Sequence, residues 1–484
     1  MNHGPFHQLD PERNYFPATA HHIHLMGICG TGMGAMAGLL KKAGYRITGS
    51  DNQVYPPMSD YLAAAGIIVQ NGYDPENLTP PPDLVVVGNV IRRDNTEALE
   101  LARLALPYVS FPQALAHKFL SNKKSLVVAG THGKTTTASL LATMLAGAGY
   151  DPGFMIGGIV QAFQANFRLG GGDYFVVEGD EYDTAFFDKG PKFLHYQPQI
   201  AILTSVEFDH ADIYADFQAV QDAFARLVAI MPADGVLVAC FDDQVVRKLA
   251  AAAPCRVVSY GRDHAAAWSF AEMRSSEGQT SFTLLRQGRP SGRFTGIMAG
   301  RHNVLNSLAV LAVLDEIGVP AEVMARELAA FQGVRRRQEV RGVVAGVTVI
   351  DDFAHHPTAV HETLQALREA YAGQRLVAVF EPRTNSSRRT IFQEQYARAF
   401  SGADEVVVKE PEPLPGVAPE EHFSADRLAD DLQGQGIRAA GFTNTQQILA
   451  YLGDTLRSGD VVAILSNGGF DNIHQRLLDI LQSR

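Results

Sequence analysis

The 484-residue chain has only three cysteines, Cys29, Cys240 and Cys255. They are too few and too scattered for a disulfide framework or a zinc cluster, which points to a reducing compartment. There is no Lys/Arg block: 41 basic residues stand against 52 acidic ones, for a net charge of -11. This balance argues against nonspecific binding to nucleic acid or membranes, so a phosphate-bearing ligand has to be held by a local pocket. No apolar run approaches the roughly 18 residues of a membrane span. Residues 1–20 are polar and broken by prolines, without the apolar stretch of a secretory leader. The expectation is a cytoplasmic protein with no nucleic-acid or membrane partner. Hydrophobic residues make up 46% of the chain, which excludes disordered and fibrous classes. At about 100–200 residues per domain, the length predicts two to four domains.

Residues 22–27 predict a short strand running into a glycine-rich turn, followed by a helix over 33–44 and a strand over 45–49 ending at Ser50-Asp51. Another apolar strand, 84–87, ends at Gly88-Asn89. A polar break at 121–124 precedes a new strand over 125–129. Further strands are predicted over 174–178, 200–205 and 236–239, antiparallel strands across 267–299, and helices over 303–317 and 321–331. After the basic turn at 333–337, strands are expected at 347–351, 375–380, 405–409 and 461–466, then a helix from Asn472. Strands alternating with helices read as parallel α/β sheets. The expected architecture is α/β in three tandem domains: 1–121, 122–334 and 335–484.

The strongest local signal is the loop Gly130-Thr131-His132-Gly133-Lys134-Thr135-Thr136-Thr137, between an apolar strand and a helix. Backbone amides in such a loop face phosphate oxygens, and the helix N-terminus adds positive potential. Lys134 would reach the β- and γ-phosphates and the Thr135 hydroxyl would ligate Mg²⁺. The general G-x-x-x-x-G-K-[ST] pattern would place a glycine where Val128 stands. Glu178, Asp180, Glu181 and Asp183 follow the strand 174–177, and carboxylates at a strand end suit a hard cation. His210, in Glu207-Phe208-Asp209-His210-Ala211-Asp212, reads as a metal ligand or a phosphate contact.

Five other segments carry open readings. Gly27, Cys29, Gly30, Thr31, Gly32 and Met33, with Asp51 ending the next strand, suggest a diphosphate loop; Cys29 replaces the second glycine of a dinucleotide fingerprint, which weakens a nicotinamide site. Asn303 and Asn306 share a helix face and can grip an adenine edge or a phosphate, or Asn303 can cap the helix. Arg335, Arg336 and Arg337 form either a solvated turn or the source of a domain-closing arginine. His355-His356, after Asp351-Asp352, suits capping or substrate contact better than metal. The loop after Phe380, with Arg383, Asn385 and Ser386, suits a carboxylate-bearing ligand or is a polar surface loop.

The segments GTHGKTTT, EGDEYD, EFDHADIY, GRHNVLN and DDFAHHPT, in this order from His22 to about Leu481, resemble the Mur ligase family of ATP-dependent amide-forming enzymes of peptidoglycan synthesis. The resemblance implies a Rossmann-like UDP-binding first domain, a P-loop ATPase-like central domain and a Rossmann-like C-terminal domain for the incoming amine. It implies catalytic Lys134, Glu178, His210, Arg337 and Asp352, and an ATP site of Gly130, Thr131, His132, Gly133, Lys134, Thr135, Thr136, Asn303, Asn306 and Arg337. Mg²⁺ would be held by Thr135, Glu178 and His210. UDP-sugar would be held by Gly27, Cys29, Gly30, Thr31, Gly32, Met33, Asp51 and Asn89, and the peptide by His355, Arg383, Asn385 and Ser386. Ala225 stands where several family members carry a carbamylated lysine, so a carbamate ligand is not expected.

Two types within the family are near. One adds L-alanine to UDP-N-acetylmuramate; the other attaches the tripeptide L-Ala-γ-D-Glu-meso-diaminopimelate to the same acceptor. Cys29 in GICGT, DNQVYPPMS, VGNVIRRDN, DEYDTAFFDK, EPRTNSS and SNGGFDNIH resemble the tripeptide type. The expected partners are UDP-N-acetylmuramate and the murein tripeptide, with the chain a monomer or weak homodimer. A nicotinamide-dependent oxidoreductase would explain the first domain alone.

Overall fold

The computed structural model describes residues 9–55, 58–209, 211, 213–276 and 278–484. Three large sheets follow one another along the chain. The first contains β1 (His22–Met26), β2 (Arg46–Asp51), β3 (Ile68–Asn71), β4 (Leu84–Val87) and β5 (Tyr108–Ser110). Its order is β3-β2-β1-β4-β5, all parallel. The chain direction across the sheet reverses between β1 and β4, which opens a crevice at their C-terminal ends.

The second sheet has ten strands. They are β6 (Lys124–Ala129), β7 (Gly153–Val160), β8 (Ala165–Arg168) and β9 (Tyr174–Gly179), then, after the small hairpin of β10 (Asp183–Ala185) and β11 (Asp188–Pro191), β12 (Ile200–Leu203), β13 (Val236–Cys240), β14 (Arg256–Tyr260), β15 (Trp268–Ser276), β16 (Gln279–Arg286) and β17 (Arg289–Gly296). The order is β17-β16-β15-β14-β13-β12-β6-β9-β7-β8. β6 lies between β12 and β9, parallel to both, so the ends of three strands converge on one site. β15, β16 and β17 form the expected antiparallel meander. Trp268, the only tryptophan in the chain, is buried on β15 under the Arg286 guanidinium, 4.8 Å from the ring centre.

The third sheet contains β18 (Glu339–Val344), β19 (Val347–Asp352), β20 (Leu376–Phe380), β21 (Glu405–Lys409), β22 (Arg438–Phe442) and β23 (Val461–Leu465), ordered β18-β19-β23-β20-β21-β22. Only β18 is antiparallel to its neighbour. Central strands such as β4, β13, β20 and β23 are buried along their whole length, as sheets covered by helices on both faces require.

The strands that sequence reading left out are β3, β5, β7, β8, β10, β11, β14, β18 and β22. Most are short, edge-lying or glycine-containing, so they lack an apolar run. β7 includes Gly157-Gly158, and β3 is largely exposed. The first helix starts at Thr31 rather than at residue 33.

A buried polar cluster ties the first sheet together. Glu97 accepts hydrogen bonds from Ser50 Oγ (2.9 Å) and Asn77 Nδ2 (2.9 Å), and lies 2.8 Å from His24 Nε2. Glu97 and His24 are fully buried. Glu97→Ala removes the carboxylate partner of two buried groups, His24 and Ser50, and of half-buried Asn77. The expected cost is about 3–5 kcal/mol, read as a lower denaturant midpoint at unchanged slope.

Candidate active site

The loop after β6 is shaped by two glycines. Gly130 has φ +127°, and a Cβ there would lie 2.1 Å from Thr204 Oγ1 and 2.9 Å from the Ser205 backbone. Gly133 has φ +80°, with Asn306 Oδ1 at 2.7 Å from the equivalent point. The loop is stitched to the end of β12. Thr131 N donates to Ser205 O (2.9 Å), His132 N to Ser205 Oγ (3.1 Å), and Thr204 Oγ1 to His132 O (2.6 Å). The helix Lys134–Gly147 then begins without a side-chain cap, and its first-turn amides have no intrahelical partner. It is buried over most of its surface because it packs between the sheet and the helix Arg301–Ile317.

Lys134 is mostly buried and donates to Gly130 O (2.7 Å) and to both carboxylate oxygens of Glu181 (2.8 and 3.1 Å). Burial alone would lower its pKa, but Glu181, Asp180 and Glu178 outweigh this and hold it above the ordinary lysine value. Glu181 was legible only as one of several carboxylates; its pairing with Lys134 depends on a fold around β9 that spacing does not encode.

Thr135 and Glu178 lie side by side. Glu178 accepts from Gly157 N (3.0 Å) and from the Thr135 hydroxyl. Burial raises its pKa, while these bonds and the charges of Lys134 and Arg337 pull it back. A hydroxyl beside a carboxylate is an oxygen donor set that fits Mg²⁺. The third expected ligand, His210, lies outside the described residues. Arg337 donates to Thr135 Oγ1 (3.0 Å) and stacks over Phe353 at 4.7 Å.

The three linker arginines part company. Arg335 reaches Gln164 (2.8 Å), Arg336 reaches the carbonyls of Ser466 (2.6 Å) and Gly468 (2.7 Å), and Arg337 reaches Thr135. Only Arg335 fits the description of a solvated side chain.

Asp352 accepts from Gln338 N and Ala354 N, both at 2.8 Å, and burial raises its pKa. Its carboxylate therefore anchors the loop that carries Arg337 and His355. Asn306 Nδ2 donates to Asn303 Oδ1 (3.2 Å), and Asn303 Nδ2 to Ala299 O (2.8 Å). Gly300 holds the cap position, so Asn303 is not the helix cap. Both asparagines, with His132, Gly133, Thr136 and Arg337, line a cleft of about 720 Å³ between the second and third sheets' units.

Also lining that cleft, Glu207 accepts from Thr358 Oγ1 at 2.6 Å. Its Oε2 lies 3.4 Å from His132 Nε2 and 3.8 Å from His356 Nδ1. Burial opposes ionisation of Glu207, but His132, Thr358 and His356 hold its pKa down at about 2. Burial, with the neighbouring His132, lowers His356 to about 4. His356 caps the helix Pro357–Ala370 through Thr358 N (3.3 Å), whereas His355 Nδ1 lies 3.1 Å from Phe353 O.

In the first unit, Gly27, Cys29 and Gly30 form the turn after β1, at the crevice, and Thr31, Gly32 and Met33 open the helix that follows. Both oxygens of Asp51 serve this region, accepting from Cys29 N (2.9 Å) and Gln53 N (3.0 Å). Burial, and Asp51 secondarily, push the Cys29 thiol up to about 11, so it is protonated and unreactive near neutrality. Asn89 is exposed beyond β4. The β10–β11 hairpin, within DEYDTAFFDK, reaches this unit: Ser110 Oγ donates to Asp188 (3.2 Å), and Phe187 meets Tyr108 edge to face at 4.8 Å.

In the loop after β20, Arg383 and Asn385 are exposed and Ser386 is buried. Ser386 Oγ accepts from Ala211 N (3.3 Å), linking this loop to the segment after β12. Arg383 lies over Gly468, where any Cβ would collide with it. Glu381 is occupied by Lys409 (3.0 Å) and Ser466 (2.6 Å).

Comparison with known proteins identifies the family. The chain matches the Mur ligase family catalytic domain over residues 22–122, the Mur ligase middle domain over 128–314, and the glutamate ligase domain of Mur ligases over 335–468. It belongs to the Mur ligase family and is an ATP-dependent, amide-bond-forming ligase. It is 39% identical over 481 residues to the UDP-N-acetylmuramate–L-alanyl-γ-D-glutamyl-meso-2,6-diaminoheptandioate ligase of Escherichia coli, covering 96% of this chain and 98% of that protein. It is 36% identical over 466 residues to a UDP-N-acetylmuramate–L-alanine ligase from an Anaeromyxobacter species, covering 95% and 98%. A crystal structure of a murein peptide ligase from Psychrobacter arcticus superposes with a TM-score of 0.70 at 34% identity, covering 96% of this chain and 99% of that one. Among the described residues no helix is long and apolar enough to cross a membrane.

Proposed function

We propose that this chain joins the tripeptide L-Ala-γ-D-Glu-meso-diaminopimelate to UDP-N-acetylmuramate at the expense of ATP, in murein recycling. The observation that supports this most is the loop after β20, whose Ser386 abuts the segment after β12 and whose Arg383 is exposed beside Gly468. It offers a carboxylate-reading guanidinium at the junction where the incoming amine has to arrive. The likeness to the tripeptide ligases of Escherichia coli and Psychrobacter arcticus points the same way.

In this reading residues 1–121 hold the UDP-sugar, 122–334 hold ATP, and 335–484 bring the peptide. The lactyl carboxylate of the acceptor attacks the γ-phosphorus, giving an acyl phosphate and ADP. The α-amine of the tripeptide then attacks the acyl carbon, phosphate leaves, and one proton is released. Lys134 and Arg337 carry positive charge to the transferring phosphoryl group. Thr135 and Glu178, with His210, would hold Mg²⁺, which would supply charge neutralisation at the phosphates. Asn303 and Asn306 face the nucleotide in the cleft, and Asp352 fixes the loop bearing Arg337 and His355. No covalent enzyme intermediate is needed, because positioning and charge supply the rate.

The test is incubation of the protein with Mg²⁺-ATP and UDP-N-acetylmuramate, offering L-alanine and tripeptide separately, with mass spectrometry of the UDP product. Product with tripeptide and none with L-alanine is expected. Product with L-alanine alone would overturn the peptide assignment and leave the ligase chemistry intact.

A further inference from the structure

The junction between the middle and C-terminal units brings two imidazoles and a carboxylate together, with His132 and Glu207 on the wall of the cleft. His132 lies in the loop before the helix Lys134–Gly147, Glu207 follows β12, and His356 starts the helix Pro357–Ala370. We propose that His132, Glu207 and His356 form a second cation site, separate from Thr135 and Glu178, which takes a d-block divalent ion such as Zn²⁺ or Co²⁺ and bridges the two units.

The three ligand atoms lie within 4.8 Å of one another. A tetrahedral ion with bonds of about 2.0–2.2 Å sets its ligand atoms about 3.4 Å apart. Glu207 Oε2 is already 3.4 Å from His132 Nε2 and 3.8 Å from His356 Nδ1. The edge from Glu207 to His356 has to shorten by about 0.4 Å to reach that spacing.

The surroundings support these three atoms. His356 Nε2 faces Phe208 O at 3.4 Å, so the ring carries its proton there and presents a lone pair at Nδ1. A ligating histidine commonly gives its other N–H to a backbone carbonyl in this way. Thr358 Oγ1 fixes the Glu207 carboxylate at 2.6 Å. His132 Nε2 is shut off from solvent, with Glu207 Oε2 3.4 Å away and no hydrogen-bond partner among the described residues. The long 3.3 Å bond from Thr358 N to His356 Nδ1 is the contact an ion would displace. A set of two nitrogens and one oxygen favours Zn²⁺ or Co²⁺ over Mg²⁺, which prefers oxygen ligands and keeps its waters. Because His132 and Glu207 belong to the middle unit and His356 to the C-terminal one, an ion here holds the cleft in the arrangement described.

The experiment is a Co²⁺ titration of the full-length protein in excess Mg²⁺, followed by visible d–d absorption and equilibrium dialysis. One Co²⁺ per chain, with the absorption of a four-coordinate site and displacement by Zn²⁺, is expected. Two variants test the ligands: Glu207→Gln keeps an acceptor for Thr358, and His356→Asn keeps a competent helix cap. Each is expected to weaken Co²⁺ binding at least tenfold and abolish the band, with an unchanged circular dichroism spectrum. If His356→Asn fails to fold, Glu207→Gln decides. Absence of the band in the unaltered protein, or its persistence at unchanged affinity in a folded variant, would overturn the site.

Discussion

Lys134→Ala is expected to lower kcat for tripeptide ligation about 10²–10³-fold, the scale of losing a preorganised donor at a developing anion. The substitution also has a structural side. Glu181 is 2% exposed, and without Lys134 its carboxylate stays buried with its cation gone, a change that costs several kcal/mol when one partner of such a pair is removed. A lower melting temperature is therefore expected alongside the lost activity. The double variant Lys134→Ala/Glu181→Gln separates the two effects. It should regain much of the melting temperature and none of the turnover. Substantial activity in either folded variant would remove Lys134 from its assigned role.

Gly130→Ala is expected to abolish detectable Mg²⁺-ATP binding by calorimetry. The left-handed φ of +127° costs an L-residue about 1–3 kcal/mol. The added methyl also strikes Thr204 Oγ1 and the Ser205 backbone, and these are the groups that hold Thr131 and His132. The loop has to leave the end of β12, and its amides lose their common aim. Gly44→Ala is a useful control, since its φ is +96° but nothing lies within 4 Å of the added carbon; it should bind nucleotide as the unaltered protein does. Normal ATP affinity in Gly130→Ala would show that the loop does not shape the phosphate site.

The sheets were legible where strands are buried on both faces. β4, β12, β13, β20 and β23 each read as a continuous apolar run, because covered parallel strands have no polar side. β8, β18 and β22 were not legible, since edge strands with half-exposed faces lack that run. The loop at Gly130–Thr137 was readable because glycine, lysine and hydroxyl positions there answer to local geometry. The partners of those residues were not. Glu181 against Lys134, Glu207 against Thr358, and Ser386 against Ala211 are separated by 47, 151 and 175 positions. Such pairs are set by how the units pack, which no local spacing records. Asp352 shows the converse case: its position was found, but its bonds to two backbone amides make it an anchor for neighbouring groups.

Trp268 gives the molecule a built-in optical label. Fifteen tyrosines are spread along the chain, but the single indole sits in the middle unit, buried beneath Arg286 and paired in register with Tyr260. An unfolding curve followed by selectively excited indole emission therefore reports on that unit alone, and circular dichroism reports on all three. Coincident curves would mean one cooperative transition, and separated curves would measure the independence of the flanking units. Tyr260 also lines the cleft, which places the emitter one strand away from the wall that a nucleotide would touch.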